Sequence, residues 1–448
     1  MSRPLPRLRW IPALLMSCLL ACATVATPPE APPPPQGPMA QRAVLANGIV
    51  LLALERPDLP VVAVEVAVAA GSAEDPPALP GLANLTASLL DEGTATRSAS
   101  EIAEALEFIG ASLSVRCDAD RATVSLRVLK RDLDTGLAIL ADILTHPAFR
   151  PDDVERVRAL TRSALLAQEE EPDQIAAKAY RRAAYGVHPY GHPVEGDLDS
   201  VARIDADSLR RFHAAFYEPR RTVIAAVGAI TAAEATAALA RHLAGWNPAV
   251  AAPAPLPAPP PTAPQRVVIQ RDFTQSTLLL GHAGLRRDAP DFFPALVMNH
   301  ILGGGGFGSR LTTDLREARG LVYGVGSGFD IPQERGLFTI QLATKNESAA
   351  EAEAVVRDQL RRMRDGGVTA EELDAAQAYL TGSFPLRLDG NAKLASYLLF
   401  MERHHLGLDY LQRFPALVDA VTREQVAAAA RHYLDPDGLI VVVVGGKG

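Results

Sequence analysis

The chain runs to 448 residues, of which 48% are hydrophobic and 21% charged, with a net charge of -8. That length exceeds a single ordinary hydrophobic core and calls for several domains. The acidic balance, with no basic stripe interleaved with aromatics, excludes a nucleic-acid binder.

In chain order, Arg3, Arg7 and Arg9 precede an apolar run from Trp10 to Ala21 that is too short to span a bilayer, so residues 1–22 read as a signal peptide. The run ends in Leu19-Leu20-Ala21-Cys22, which resembles the lipobox of bacterial lipoproteins and marks Cys22 for lipidation; Cys18 is a weaker second candidate. Ala23 follows, without the aspartate that would suggest inner-membrane retention, so the expected address is the periplasm, by a lipid anchor in the outer membrane. Residues 23–40 are proline-rich and read as an extended tether. With Cys22 lipidated, Cys117 is the thiol that remains and no intramolecular disulfide is available.

From residue 41 the pattern becomes that of a folded domain. Arg42 to Leu45 and Ile49 to Leu54 flank Asn47-Gly48, a pair suited to a tight hairpin turn. Val61 to Gly71 sets valines 62, 64, 66 and 68 on one face of a strand. Ser98 with Glu101 fits a capping box opening a helix to about Phe108. Strands follow at Ala111–Val115 and Ala122–Leu129, then helices at Asp132–Leu144 and Asp152–Glu170. The segment Phe212 to Pro219 leads into a strand at Thr222–Val227 and then Gly228.

Residues 248–264 are proline- and alanine-rich and divide the folded chain into 41–247 and 265–446. The second part repeats the first. Thr277 to Gly284 stands where Val61 to Gly71 stood, and Ala430 to Pro436 followed by Leu439 to Val444 echoes the segment around Phe212. Each half reads as strands, then helices, then a closing strand, an α+β domain with a mainly antiparallel sheet and helices packed on one face.

Two motifs carry chemistry. Gly81 to Thr94 resembles the zinc helix of the pitrilysin/insulinase family of inverted-motif metallopeptidases, His-x-x-Glu-His, with Asn84 and Ser88 at the histidine positions and Ala87 at the general-base position. Imidazoles four residues apart share a helix face and grip zinc while the carboxylate polarises its water. An amide, a hydroxyl and a methyl are poor replacements. The family's third ligand maps near Ser163-Ala164, where Ala164 offers no carboxylate, and Glu169 lies too far along the helix to stand in. His188 and His192 fall in a proline- and glycine-containing loop, and His404-His405 are adjacent, so neither pair has metal-ligand geometry.

The second motif is Leu302 to Leu311, containing Gly303, Gly304, Gly305, Gly306 and Gly308, followed by Arg316 and Tyr323. It is no dinucleotide fingerprint, because a helix-like run precedes the glycines, and no phosphate loop, because no Lys-Ser/Thr follows. It matches the second-half signature of the same family. The resemblance implies two homologous halves forming a clamp, with Arg316 and Tyr323 supporting the transition state and the glycine loop touching substrate; it also implies Val61–Ala69 as an edge strand that accepts peptide, and the sequence leaves a fully paired interior strand equally open there.

The combined expectation is a non-catalytic subunit that binds no metal or cofactor of its own. It supplies Arg316 and Tyr323 to a homologous zinc-bearing subunit in a heterodimer acting on peptide or unfolded polypeptide. Two other readings stay open: a purely structural or peptide-binding module without proteolytic role, and an active metallopeptidase with atypical ligands.

Overall fold

The computed structural model describes residues 39–247 and 255–446. Signal segment, Cys22 and most of the tether lie outside these residues.

The first half builds a six-stranded sheet from β1 (Gln41–Val44), β2 (Val50–Glu55), β3 (Val61–Val68), β4 (Ser112–Cys117), β5 (Ala122–Leu129) and β6 (Thr222–Gly228), in the order β1-β2-β6-β3-β5-β4. The second builds a five-stranded sheet from β7 (Gln265–Gln270), β8 (Gln275–Ala283), β9 (Val322–Phe329), β10 (Leu337–Lys345) and β11 (Ile440–Gly445), in the order β7-β11-β8-β10-β9. In each, one pair is parallel, β2 with β6 and β7 with β11, and the other pairs are antiparallel. The two orders superimpose if β1 is set aside, as expected of a duplication. At the first hairpin only Gly48 takes a left-handed conformation, with φ 100°.

In the first half the helices are α1 (Leu82–Ser88), α2 (Ala99–Phe108), α3 (Leu133–Thr145), α4 (Pro151–Gln168) and α5 (Pro172–Tyr185), followed by shorter ones. The Ser98/Glu101 capping box is formed in both directions at the start of α2. Valines 62, 64, 66 and 68 turn to one face of β3, where they join a core with Leu85, Ile102 and Leu137 from α1, α2 and α3.

The other face of each sheet is covered by a helix from the opposite half. Ile175, Ala176, Tyr180 and Ala184 of α5 pack on Leu279, Val442 and Val444 of the second sheet. Gly281 makes that approach possible, since a Cβ there would lie 2.3 Å from the Tyr180 hydroxyl, which donates to the Phe338 carbonyl at 2.7 Å. Reciprocally, the Asn391–Arg403 helix of the second half crosses β6 and β3 of the first sheet. Small residues there, Ala67 and Ala225, share a cluster with its Leu394, Ala395 and Leu398. Helices therefore cover both faces, and the described residues of the two halves fall within one compact unit.

Strand pairing decides between the two readings of Val61–Ala69 in favour of the interior strand. β3 lies between β6 and β5 and is paired on both sides, so it offers no free edge to a peptide. The edge beside α1 is β4, and the corresponding edge of the second sheet is β9.

Candidate functional site

The degenerate helix α1 is held in place by backbone capture rather than by ligands. Asp75, 8% exposed, accepts the N–H of Gly81 and of Ala83, each at 2.7 Å, which satisfies donors at the helix start. Burial pushes its carboxyl up to about 7, with those two N–H bonds pulling the other way. Ala87 is buried, while Asn84 and Ser88 are half-buried. The Ser88 hydroxyl donates to the Asn84 carbonyl at 2.9 Å, so it is spent within the helix.

On α4, which packs against α1, Ala164 points outward and its neighbour Leu165, 2% exposed, is the side chain turned inward at this level. One residue is about 100° around a helix, so the buried position at this level of α4 is Leu165 and not Ala164. An amide, a spent hydroxyl, a methyl and an isobutyl group do not make a zinc donor set. Among the described residues no group of three or more His, Cys, Asp or Glu side chains converges on a metal position.

The histidine pairs have local tasks. His188 accepts the Tyr190 N–H at 3.1 Å through Nδ1 and donates to the Pro257 carbonyl at 2.9 Å through Nε2, fixing the end of the interdomain linker, while His192 turns to the Pro193 carbonyl. His404 caps the Asn391–Arg403 helix, and His405 follows in a left-handed conformation. Glu169, Glu170 and Glu171 are exposed, with Glu169 paired to Lys178 at 3.3 Å.

The second-half signature has a different character. The Phe292–Asn299 helix widens into a π-helical turn, His300–Gly304, and a second π-helical turn spans Thr313–Ala318. Such turns are rare and concentrate at functional sites. The first presses its backbone onto β9: a Cβ on Gly303 would lie 2.6 Å from the Ser327 hydroxyl and 2.9 Å from its N, so only glycine fits. Gly303 is thus buried packing and not a substrate contact as expected, while Gly304, Gly306 and Gly308 are exposed and Gly305 half-exposed. Asn299 completes the brace, donating to the Ser327 carbonyl at 3.2 Å and accepting from its hydroxyl at 2.7 Å.

Within the Ser309-Arg310-Leu311 segment the side chains are structural. Leu311 is buried, and Arg310 makes a two-pronged pair with Glu372 at 2.6 and 2.7 Å that holds this carboxylate below its usual range. Arg316 and Tyr323 are not so engaged. Arg316 leaves the second π-helical turn and sets its guanidinium carbon 5.2 Å from the Tyr323 ring and 4.6 Å from that of Phe307. Tyr323 is 88% exposed and Phe307 68%. The two residues read together from the sequence are together in space, and Phe307, which the motif did not single out, joins them.

Tyr323 opens β9 and stands at one end of a groove of about 830 Å³. Its floor is β9 and β10, and its wall is Asp173, Ala177, Tyr180 and Arg181 of α5. Because α5 lies mainly over β11 and β8 and reaches β10 through Tyr180, the edge strand β9 lines the groove on this face.

Comparison with known proteins agrees with this architecture. Residues 50–198 match the family model described as Insulinase (Peptidase family M16), and residues 203–380 match that of the Peptidase M16 inactive domain. A solved M16 inactive domain from Pseudomonas fluorescens is 34% identical, with a TM-score of 0.87 over 91% of this chain and 98% of that one. An uncharacterized zinc protease of Mycobacterium tuberculosis is 29% identical over 413 residues, 91% of this chain and 94% of its own. A protein of Helicobacter pylori named a non-peptidase homolog is 28% identical over 308 residues, 68% of this chain and 71% of its own.

Proposed function

This chain belongs to the insulinase, or M16, peptidase family, and on that premise we propose that it is a non-catalytic member that binds peptide and lends Arg316 and Tyr323 to a zinc-bearing homologous subunit. The observation that carries the proposal is the stacking of half-buried Arg316 on exposed Tyr323 beside an open groove, in a chain whose own α1 lacks zinc ligands. The Arg316 guanidinium rests on the Tyr323 and Phe307 rings with no carboxylate partner among the ion pairs of the described residues, and the Tyr323 ring is exposed. Guanidinium and phenol are both donors suited to a carbonyl oxygen as negative charge develops on it. In this reading an extended peptide lies along the groove, Arg316 and Tyr323 orient the scissile carbonyl, and bond cleavage takes place on the partner. Anchoring through Cys22 would hold the complex at the periplasmic face of the outer membrane.

The relative named a non-peptidase homolog favours a second reading, a peptide-binding or structural module with no proteolytic role. Reconstitution separates the two. The chain is purified, mixed with the zinc-bearing M16 chain of the same organism, and followed with a fluorogenic peptide. The first reading expects no cleavage by this chain alone and a rise in the partner's turnover on mixing; an unchanged turnover with complex formation verified by gel filtration supports the second.

A further inference from the structure

The duplication supplies a control for one buried carboxylate. Glu65 of β3 pairs with Ala225 of β6, and Leu279 of β8 pairs with Val442 of β11. Ala225 and Val442 follow Pro219 and Pro436 at the same spacing, so Glu65 and Leu279 are counterparts in the two halves. Leu279 packs on α5, as a place beneath a helix requires. Glu65 holds the matching place on the strand crossed by the Asn391–Arg403 helix and is only 4% exposed.

A carboxylate buried there costs free energy unless it is fully hydrogen-bonded or paired. Asp75 meets that condition, with both oxygens on backbone N–H groups. Glu65 does not. Its Oε2 accepts the Ser125 hydroxyl at 2.7 Å, while Oε1 takes no hydrogen bond and no ion pair of the described residues includes this side chain. Oε1 is nevertheless not sealed inside the protein, and Glu65 lines a cavity of about 180 Å³, so this oxygen opens into it.

The other walls carry the opposite charge. Ser396 and Leu399 of the Asn391–Arg403 helix form one side, and Arg116 and Arg121 at the turn between β4 and β5 form another. That turn is fixed, because its Asp120 is held by the Tyr190 hydroxyl and by Arg403. Arg121 reaches Asp118 at 3.3 Å through Nε, which leaves its terminal nitrogens without a protein partner, and Arg116 has no ion pair among the described residues. Burial pushes the Glu65 carboxyl up, with Ser125, Arg116 and Arg121 pulling the other way. Opposite charges therefore line one cavity without reaching each other. A metal cation would meet two guanidinium groups there, and a simple anion would meet Glu65. A zwitterion satisfies both walls: an ammonium is the cation that Glu65 lacks, and a carboxylate suits guanidinium N–H groups. The volume lies below the roughly 300–1,000 Å³ of sites for drug-sized ligands, which restricts the occupant to a small molecule.

We infer that this cavity binds a free α-amino acid, with its ammonium on Glu65, its carboxylate on Arg116 and Arg121, and its side chain toward Leu399. The inference stands apart from the peptide-binding reading, which concerns the second sheet. Because the cavity lies between the first sheet and a helix of the second half, an occupant ties the halves together and stabilises the folded chain.

The test is calorimetric titration and thermal melting of the full chain with glycine, L-alanine and L-leucine. Leucinamide, which lacks the carboxylate, and N-acetyl-leucine, which lacks the ammonium, are the controls. At least one amino acid should bind and raise the melting temperature, and loss of either charge from the ligand should weaken binding about tenfold or more. Glu65→Gln and Arg116→Ala should each weaken it by a similar factor. Glu65→Leu, which installs the residue of the second half, should abolish binding and melt no lower than wild type, since an apolar residue in place of an incompletely paired buried charge is neutral or stabilising. It also keeps the test decisive if Glu65→Gln folds poorly. Absence of binding by all three amino acids at about 10 mM, well above a millimolar Kd, overturns the inference. So does equal binding of leucinamide or N-acetyl-leucine, or an affinity that stays within about twofold of wild type in Glu65→Leu.

Discussion

The two halves share a fold and differ in how they treat the same region of it. In the first, α1 is regular, the Thr86 and Ser88 hydroxyls bond back into their own helix, and its motif positions are Asn84, Ala87 and Ser88. In the second, the corresponding helix breaks into π-helical turns, brings a glycine backbone against a strand, and leaves Tyr323 and Phe307 in solvent with half-buried Arg316 between them. Irregular turns and exposed aromatics cost stability and persist where something other than the fold maintains them. The difference teaches that losing a metal site lets a helix settle, whereas a surface still in use stays unsettled. On that argument the second half holds the functional surface and the first half supports it.

The largest effect should come from the settled half. Asp75 is buried at the start of α1 and its folded-state carboxyl is raised to about 7 from the usual carboxylate range near 4. Between those two pH values the native state keeps a proton that the unfolded chain has shed. Unfolding free energy therefore falls as pH rises through this window and is flat with respect to this group above it. The span is on the order of 4 kcal/mol. Urea denaturation from pH 4 to 8 should show this decline in wild type relative to Asp75→Asn, in which nothing titrates at that position. Equal slopes in the two proteins would mean that Asp75 is hydrated and that α1 is less settled than the contrast holds.

The unsettled half is probed by the Arg316–Tyr323 pair. Arg316→Ala or Tyr323→Phe should lower the turnover of the reconstituted complex on the order of 10²-fold, about 2.7 kcal/mol, with assembly intact. Thermal stability of the isolated chain should move little for Tyr323→Phe, whose ring is exposed, within about 0.5 kcal/mol, and by no more than about 1 kcal/mol for Arg316→Ala, which gives up its stacking on Phe307 and Tyr323. A large drop in melting temperature with unchanged turnover would reverse the assignment and make the pair structural.

Much of this contrast is legible in the sequence, and what is not has identifiable causes. The duplication, the valine alternation of β3, the capping box of α2 and the pairing of Arg316 with Tyr323 are local patterns at fixed spacing. Reciprocal exchange of α5 and the Asn391–Arg403 helix is not local: amphipathicity says that a helix has an apolar face and is silent on which sheet receives it. The groove was hidden for that reason, since its wall comes from one half and its floor from the other. Edge and interior placement of β3 stayed open in the sequence because valines alone do not show pairing. Ala63 and Ala67, alternating with them, carried the signal that a second layer sits close on the other face. At the third-ligand position read from the sequence, Ala164 faces solvent and the next residue, Leu165, the interior, a one-residue turn that sequence spacing does not resolve. Phe307 lay inside the quoted motif, but only the turn shows that it stacks on Arg316.

The joint between the halves gives a smaller and more uniform effect. Tyr180→Phe removes the hydroxyl that donates to the Phe338 carbonyl across the exchanged contact. It leaves a buried acceptor short of a partner, at a cost of about 1–3 kcal/mol. Because α5 is also the wall of the groove, the same variant should weaken peptide binding measurably. Loss of stability without change in binding would show the wall to be set by other contacts.

The smallest expected effect is the most specific test of what the first half has lost. Restoring Asn84→His, Ala87→Glu and Ser88→His returns the helix motif but not a third ligand, so added zinc should leave the melting temperature of the triple variant within about 1 °C, since a metal stabilises only in proportion to its binding of the folded state. The next substitution decides the register. Ala164→Glu places a carboxylate on the outward face of α4, where it cannot close the site. Leu165→Glu places it on the buried face, where without metal it should destabilise, as an unpaired buried carboxylate does. With zinc, that fourfold variant should regain stability while the Ala164→Glu version does not respond. A zinc-dependent rise in the triple variant would show that some other group on α4 or in the loop before α1 completes the site, and the first half would then be a dormant metal centre rather than a settled one.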